Sequence, residues 1–96
     1  MLRFEWDPGK NEANRKKHRI GFETAQLAFE DPCCITFSDW VAHGEERWRA
    51  IGSIENAIIL VVVHTHREEG AEEVIRIISA RRATRHERKL YAQAIG

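Results

Sequence analysis

The chain has 96 residues and carries 15 basic against 15 acidic side chains, so any electrostatic recognition must come from how charge is distributed and not from its sum. That length holds one core, and a single domain over residues 1–96 is expected, with little stability in reserve. The longest apolar run, Ala57 to Val63, is too short to cross a bilayer, and the adjacent Cys33 and Cys34 suit neither a mutual disulfide nor a zinc spacing; together with an N-terminus that lacks a basic segment before an apolar one, this excludes membrane and disulfide-scaffold classes and leads us to expect a cytoplasmic protein.

Leu2, Phe4 and Trp6 alternate with Arg3 and Glu5, the period of a half-buried strand. Asp7-Pro8 then supplies an N-cap followed by the residue favoured at the first helical position, which predicts a helix to about His18 or Arg19. Gly21 marks a break. Phe22, Ala25, Leu27, Ala28 and Phe29 mostly share one face of a second helix that Asp31-Pro32 stops. From Cys33 onward the pattern is β: Cys33 to Phe37, a polar loop through Gly44, Glu45 to Ile54, Ala57 to His66, and Val74 to Ala80. Glu55-Asn56 and the segment Arg67 to Glu73 read as hairpin connections. Ile58 to Val63 shows no alternation, so it predicts a central strand covered on both faces. Thr84 and Glu87 have capping-box spacing, and a last helix should run from Arg85 to about Ala94. The order β-α-α-β-β-β-β-α implies an α+β fold with a mostly antiparallel sheet, two N-terminal helices and a C-terminal one.

Charge gathers at the two ends of this order. Lys10, Arg15, Lys16, Lys17 and Arg19 stand against Glu12 alone, and Arg76, Arg81, Arg82, Arg85, Arg88 and Lys89 stand against Glu87 alone, while residues 30–73 hold most of the carboxylates. Arg76 lies inside an apolar, β-branched run. A guanidinium there is costly to bury unless paired, so it should open onto a groove, a partner or an anion. The C-terminal basic cluster has the footprint of a phosphate-binding surface.

In order along the chain, Phe4-Glu5-Trp6-Asp7-Pro8 with Lys10-Asn11 and Asn14, Lys17-His18, Phe22-Glu23-Thr24-Ala25, Gly44-Glu45-Glu46-Arg47, Ile51-Gly52, Leu60-Val61-Val62-Val63-His64, and Arg76-Ile77-Ile78-Ser79-Ala80-Arg81-Arg82-Ala83-Thr84 with Glu87 and Tyr91 make a set that resembles the BrnT-type toxins of bacterial type II toxin–antitoxin pairs. The resemblance covers nearly the whole chain. It implies a RelE-like fold, metal-independent endoribonuclease activity that inhibits translation, and neutralisation by a BrnA-like antitoxin that carries the DNA-binding domain, so that operator DNA is reached only through the partner.

Metal-free cleavage of RNA needs a group to take the 2′-hydroxyl proton, donors for the charge growing on the phosphate, and an acid for the leaving 5′-oxygen. Arginine suits the donor role, because its planar fork binds phosphate oxygens in pairs and stays charged. The candidate catalytic set is therefore Arg47, His64, Arg76 and Arg81; for proton transfer His64, whose free pKa lies in the working range, stands first among His64, His18, Glu46, Glu87 and Tyr91. The alternative for Arg81 and Arg82 is that they cap the sheet and pair with Glu45, Glu46 or Glu87. Lys16, Lys17, Arg82, Arg85 and Arg88 are candidate RNA contacts, and Trp40 and Trp48 are candidates for base stacking or for anchoring a partner. His64 and His66 fall on the same side of a strand, but two histidines do not fill a zinc shell, so neither a metal nor a cofactor is expected. A non-catalytic module of the same fold, which binds its antitoxin and acts in transcriptional autoregulation, is the competing reading.

Overall fold

The computed structural model describes residues 1–95. β1 (Leu2–Trp6) passes directly into α1 (Pro8–His18): Asp7 keeps an extended backbone and its carboxylate accepts the Lys10 N–H at 2.9 Å, while Pro8 sits where a helical N–H would go unused. Arg19 ends α1 by turning left-handed, φ 62°, and donates its N–H to Arg15 O at 2.9 Å. The second predicted helix divides in two, a four-residue α2 (Phe22–Ala25) and a 3₁₀ turn (Gln26–Glu30). Gly21 offers no side chain to cap α2, and Asn11 of α1 does so instead, its Oδ1 accepting the Phe22 N–H at 2.8 Å.

β2 (Ile35–Ala42), β3 (Glu45–Ser53), β4 (Ile59–Glu69) and β5 (Glu72–Arg82) come next, and α3 (Arg85–Ile95) closes the described chain. The sheet order is β1-β5-β4-β3-β2, with β1 parallel to β5 and every other neighbour antiparallel. β4 takes the centre, and Leu60, Val61 and Val62 are buried, as their lack of alternation requires.

Two segments expected as loops are strand. Ser38 to Ala42 belong to β2, and the turn shrinks to His43-Gly44, both with positive φ (53° and 76°), which matches the twist of a tight hairpin. Arg67 to Glu69 and Glu72-Glu73 extend β4 and β5, and the chain reverses at Gly70-Ala71. Their charges read as loop because each is polar alone; across strands they pair, Arg67 with Glu5, and Arg3 with Glu69 and Glu72 at 3.3 and 3.4 Å, while Arg67 also meets Glu69 along its own strand.

α1, α2 and the 3₁₀ turn cover one face of the sheet. Phe22, Ala25 and Ala28 meet Ala50, Leu60, Val62, Ile75, Ile77 and Ala80 there, and Gly52 lets the turn approach so closely that a Cβ would stand 2.5 Å from Ala28 O. Asn14 ties α1 to the sheet, donating to Ile20 O and Ala80 O at 2.9 Å each and accepting the Ala80 N–H at 3.1 Å. On the second face α3 covers one end only: Tyr91 and Ala83 meet Ile51 and Val61, with Ile35, Phe37 and Ile59 beside them. Asp31 pins that end, accepting the Tyr91 hydroxyl, the Ser53 N–H at 2.8 Å and the Cys33 N–H at 2.9 Å. The rest of the second face carries no helix among the described residues.

Candidate functional site

The uncovered part of the second face is a field of arginines, and two β-bulges put it there. In β5 the register steps between Val63↔Ser79 and His64↔Ile77, so Arg76, opposite Thr65, shares a face with Ser79 three residues on. In β2 it steps between Ser38↔Trp48 and Trp40↔Arg47, so Trp40 shares a face with Phe37. An unbroken strand sends residues three apart to opposite faces; each bulge inserts one residue and re-aims the side chains beyond it. Trp40, Arg47, Thr65, Arg76 and Glu5 therefore lie in one row across the sheet, with Arg49 and Arg81 in the next rows toward α3.

These arginines divide by what they touch. Arg81 forks onto Glu87, with Nη1 and Nη2 at 2.7 and 2.8 Å from the two carboxylate oxygens, and Arg49 adds Nη1 at 3.1 Å while its other donors go to Asp39. Arg49 also lies over the Phe37 ring, 5.4 Å from its centroid. Glu87 closes the expected capping box as well, accepting the Thr84 N–H at 2.8 Å while its own N–H donates to Thr84 Oγ1 at 3.2 Å. The bond from Arg81 holds the Glu87 carboxyl down to about 2, although burial pushes the other way. Arg81 is thus an internal tie between the sheet and α3.

Arg76 is engaged more loosely, with Nη2 on Glu45 at 2.6 Å and both side chains at least 40% exposed. Arg47 differs from all of these. Its Nε is buried and has no hydrogen-bond partner, and among the described residues it meets no carboxylate. Arg47 and Arg76 line a pocket of about 120 Å³ together with Asp7, Lys10, Ile77 and Ile78. A concavity that sets three cations against the single carboxylate of Asp7, itself engaged as the α1 cap, and leaves a donor unsatisfied suits an anion.

His64 is elsewhere. It faces the helix-covered side, 3% exposed, edge-on to Phe29 at 4.9 Å, with Nδ1 3.3 Å from Val62 O. Burial drives its pKa down to about 4, so it is a neutral core histidine beside a second, mostly apolar cavity of about 280 Å³ that Trp48 and His66 also line. Of the candidate catalytic set, Arg47 and Arg76 line one pocket, Arg81 lies on the same face but bound to Glu87, and His64 is separated from them by the thickness of the sheet. Lys16 and Lys17 are exposed on α1, on the helix-covered side. Arg82 and Arg88 line a surface hollow with Ala57 and Ile59, Arg88 donating to Ala83 O at 3.1 Å, and Arg85 is exposed on α3. Among the described residues no three His, Cys, Asp or Glu side chains gather to hold a metal ion, and no helix is long and apolar enough to cross a membrane.

Comparison with known proteins is decisive at the family level. A family model described as the ribonuclease toxin BrnT of type II toxin–antitoxin systems matches residues 6–87. The chain belongs to the BrnT family. Its match spans both bulges, the Arg47–Arg76 pocket and the Arg81–Glu87 tie. The fold is similar to the crystal structure of the Brucella abortus ribonuclease toxin BrnT, with a TM-score of 0.67 and 29% identity over 88% of this chain and all of that one. No curated protein sequence matches the chain. Membership of a type II toxin–antitoxin family implies a protein antitoxin as partner.

Lys10 and Glu45 were not singled out from the sequence as parts of the Arg76 site. Lys10 counted only as one charge of the N-terminal basic cluster, and nothing short of the α1 start and the β3 register brings either residue to Arg76.

Proposed function

We propose that this chain is an endoribonuclease toxin that cleaves RNA at a phosphate held by Arg47 and Arg76, does so without a metal, and thereby inhibits translation. The observation that carries this reading is the unpartnered Arg47 Nε beside Arg76 and Lys10 in one pocket. In the proposed step the 2′-oxygen attacks phosphorus, the bond to the 5′-oxygen breaks, the leaving 5′-oxygen takes a proton from solvent water, and the products are a 2′,3′-cyclic phosphate and a 5′-hydroxyl. Charge that grows on the non-bridging oxygens meets fixed guanidinium donors, which need no reorganisation as the reaction proceeds. An incoming phosphate competes with Glu45 for Arg76, and the carboxylate it displaces is then placed to take the 2′-hydroxyl proton. A BrnA-like, DNA-binding antitoxin neutralises the toxin by covering this basic face, and operator DNA is met only through that partner.

The competing reading, a binding module without catalysis, draws support from the removal of His64 from the groove. Cleavage of RNA by the purified chain in the presence of a chelator separates the two. The wild type should cleave, and Arg47→Ala and Arg76→Ala should each lose about 10²- to 10³-fold, the usual cost of removing one preorganised donor. Activity that chelation abolishes and a divalent ion restores overturns the metal-free step. Full activity in both variants overturns the site.

A further inference from the structure

Trp40 is the one exposed tryptophan of the described residues, 44% accessible at the edge strand of the sheet. Its partner across the ladder is Arg47, and the bulge at Asp39 is what turns the ring to that side. Without the inserted residue Trp40 would share a face with Ser38, opposite Trp48, and lie away from the arginines. On its own face it is flanked by Arg47, Ala42 and the Arg76–Glu45 pair; the exposed Val41 next in sequence is opposite Glu46 and belongs to the other face. Phe37, the other aromatic of this face on β2, is half-buried beneath Arg49, so Trp40 is an exposed ring beside cations and not the centre of an apolar patch. A protein anchor sits amid apolar, desolvated neighbours, whereas single-stranded nucleic acid is held by an aromatic face for a base and guanidinium groups for the backbone.

Resting on the ribonuclease reading above, we infer that Trp40 is the stacking platform for one base of a single-stranded RNA whose phosphate lies on Arg47 and Arg76. The RNA crosses the strands, with one base at the β2 edge and its backbone running over Arg47 toward Arg76, about 10 Å further at a strand spacing of about 4.8 Å. A duplex keeps its bases stacked on each other and offers Trp40 nothing to receive.

The test measures binding of an uncleavable 2′-fluoro single strand by anisotropy, cleavage of the matching RNA, and complex formation with the antitoxin, for wild type, Trp40→Ala, Trp40→Phe and Val41→Ala. Trp40→Ala should bind the strand about tenfold or more weakly and raise KM more than it lowers kcat; Trp40→Phe should recover most of that, and Val41→Ala should match wild type. Wild-type affinity in Trp40→Ala overturns the inference, and if Arg76→Ala still loses cleavage the ribonuclease reading survives it. Weakened antitoxin binding with RNA binding intact also overturns it, making the ring a protein anchor. A wild type that never cleaves, yet binds the strand in a Trp40-dependent way, sinks the ribonuclease reading and leaves the stacking platform standing.

Discussion

Glu87→Gln isolates the tie between the sheet and α3. The substitution keeps shape and a carbonyl oxygen for the Thr84 N–H but removes the charge on which Arg81 closes with two bonds and Arg49 with one. The wild-type carboxyl is held at about 2 against an ordinary 4.5, and each pH unit between folded and free values corresponds to about 1.4 kcal/mol, so the charged form contributes a ceiling of about 3 kcal/mol. Water at the outer side of Arg81, whose side chain is 36% exposed, screens part of that and leaves about 2 kcal/mol. The folded pKa is depressed, so this stability is complete above about 4.5 and drains away as pH falls toward 2. Urea unfolding followed by tryptophan fluorescence should show the variant about 2 kcal/mol less stable at pH 7, with the gap narrowing below pH 4.5. Arg81→Ala should lose a similar amount, as the sequence-level alternative of pairing with Glu87 requires and a role mainly at a phosphate does not. A loss below about 0.5 kcal/mol at pH 7, or a gap of the same size at pH 3, refutes the reasoning.

His64→Gln probes a different window. Burial lowers the folded imidazole to about 4 against 6.5 when free, so the unfolded chain binds the proton first and stability is lost as pH falls from 6.5 to 4; the variant should flatten that acid limb while RNA cleavage at pH 7 persists, and a steep pH dependence of cleavage that vanishes with His64 would restore it as a proton-transfer group. Asn14→Ala leaves two carbonyls and the Ala80 N–H without their side-chain partner and should cost about 2–4 kcal/mol in chemical denaturation; a loss under 1 kcal/mol would mean water replaces the amide. Arg47→Ala should reduce the salt slope of single-stranded RNA binding by about 0.7, one phosphate contact, whereas an unchanged slope places the phosphate elsewhere.

Element order was legible because local chemistry fixed it. Asp7-Pro8, Gly21, the unbroken Ile58 to Val63 run and Thr84 with Glu87 each act within a few residues, and each has the predicted consequence. Strand ends were not legible where charge pairing across strands decides them, as for Arg67 with Glu5. Nor was the side to which a residue beyond a bulge points. Counted by alternation, Arg76 and Ser79 belong to opposite faces, and so do Phe37 and Trp40; a bulge depends on the partner strand and leaves no mark within either segment.

The same limit explains how the candidate site shifted. Arg47, Arg76 and Arg81 look alike in sequence, since each is a guanidinium on or beside a strand, and the local charge balance counts them equally. What separates them is the carboxylate each meets after folding. Arg81 meets Glu87, six residues on, in a contact that only the start of α3 can make; Arg76 meets Glu45 at an exposed, exchangeable position; Arg47 meets no carboxylate among the described residues. A guanidinium that already neutralises a buried carboxylate has its donors committed, and withdrawing it for a ligand would strand that charge. A guanidinium with a buried, unused donor gains by receiving an anion. Pairing therefore ranks the three in the order Arg47, Arg76, Arg81 for contact with phosphate, the reverse of the emphasis that the C-terminal basic cluster suggests.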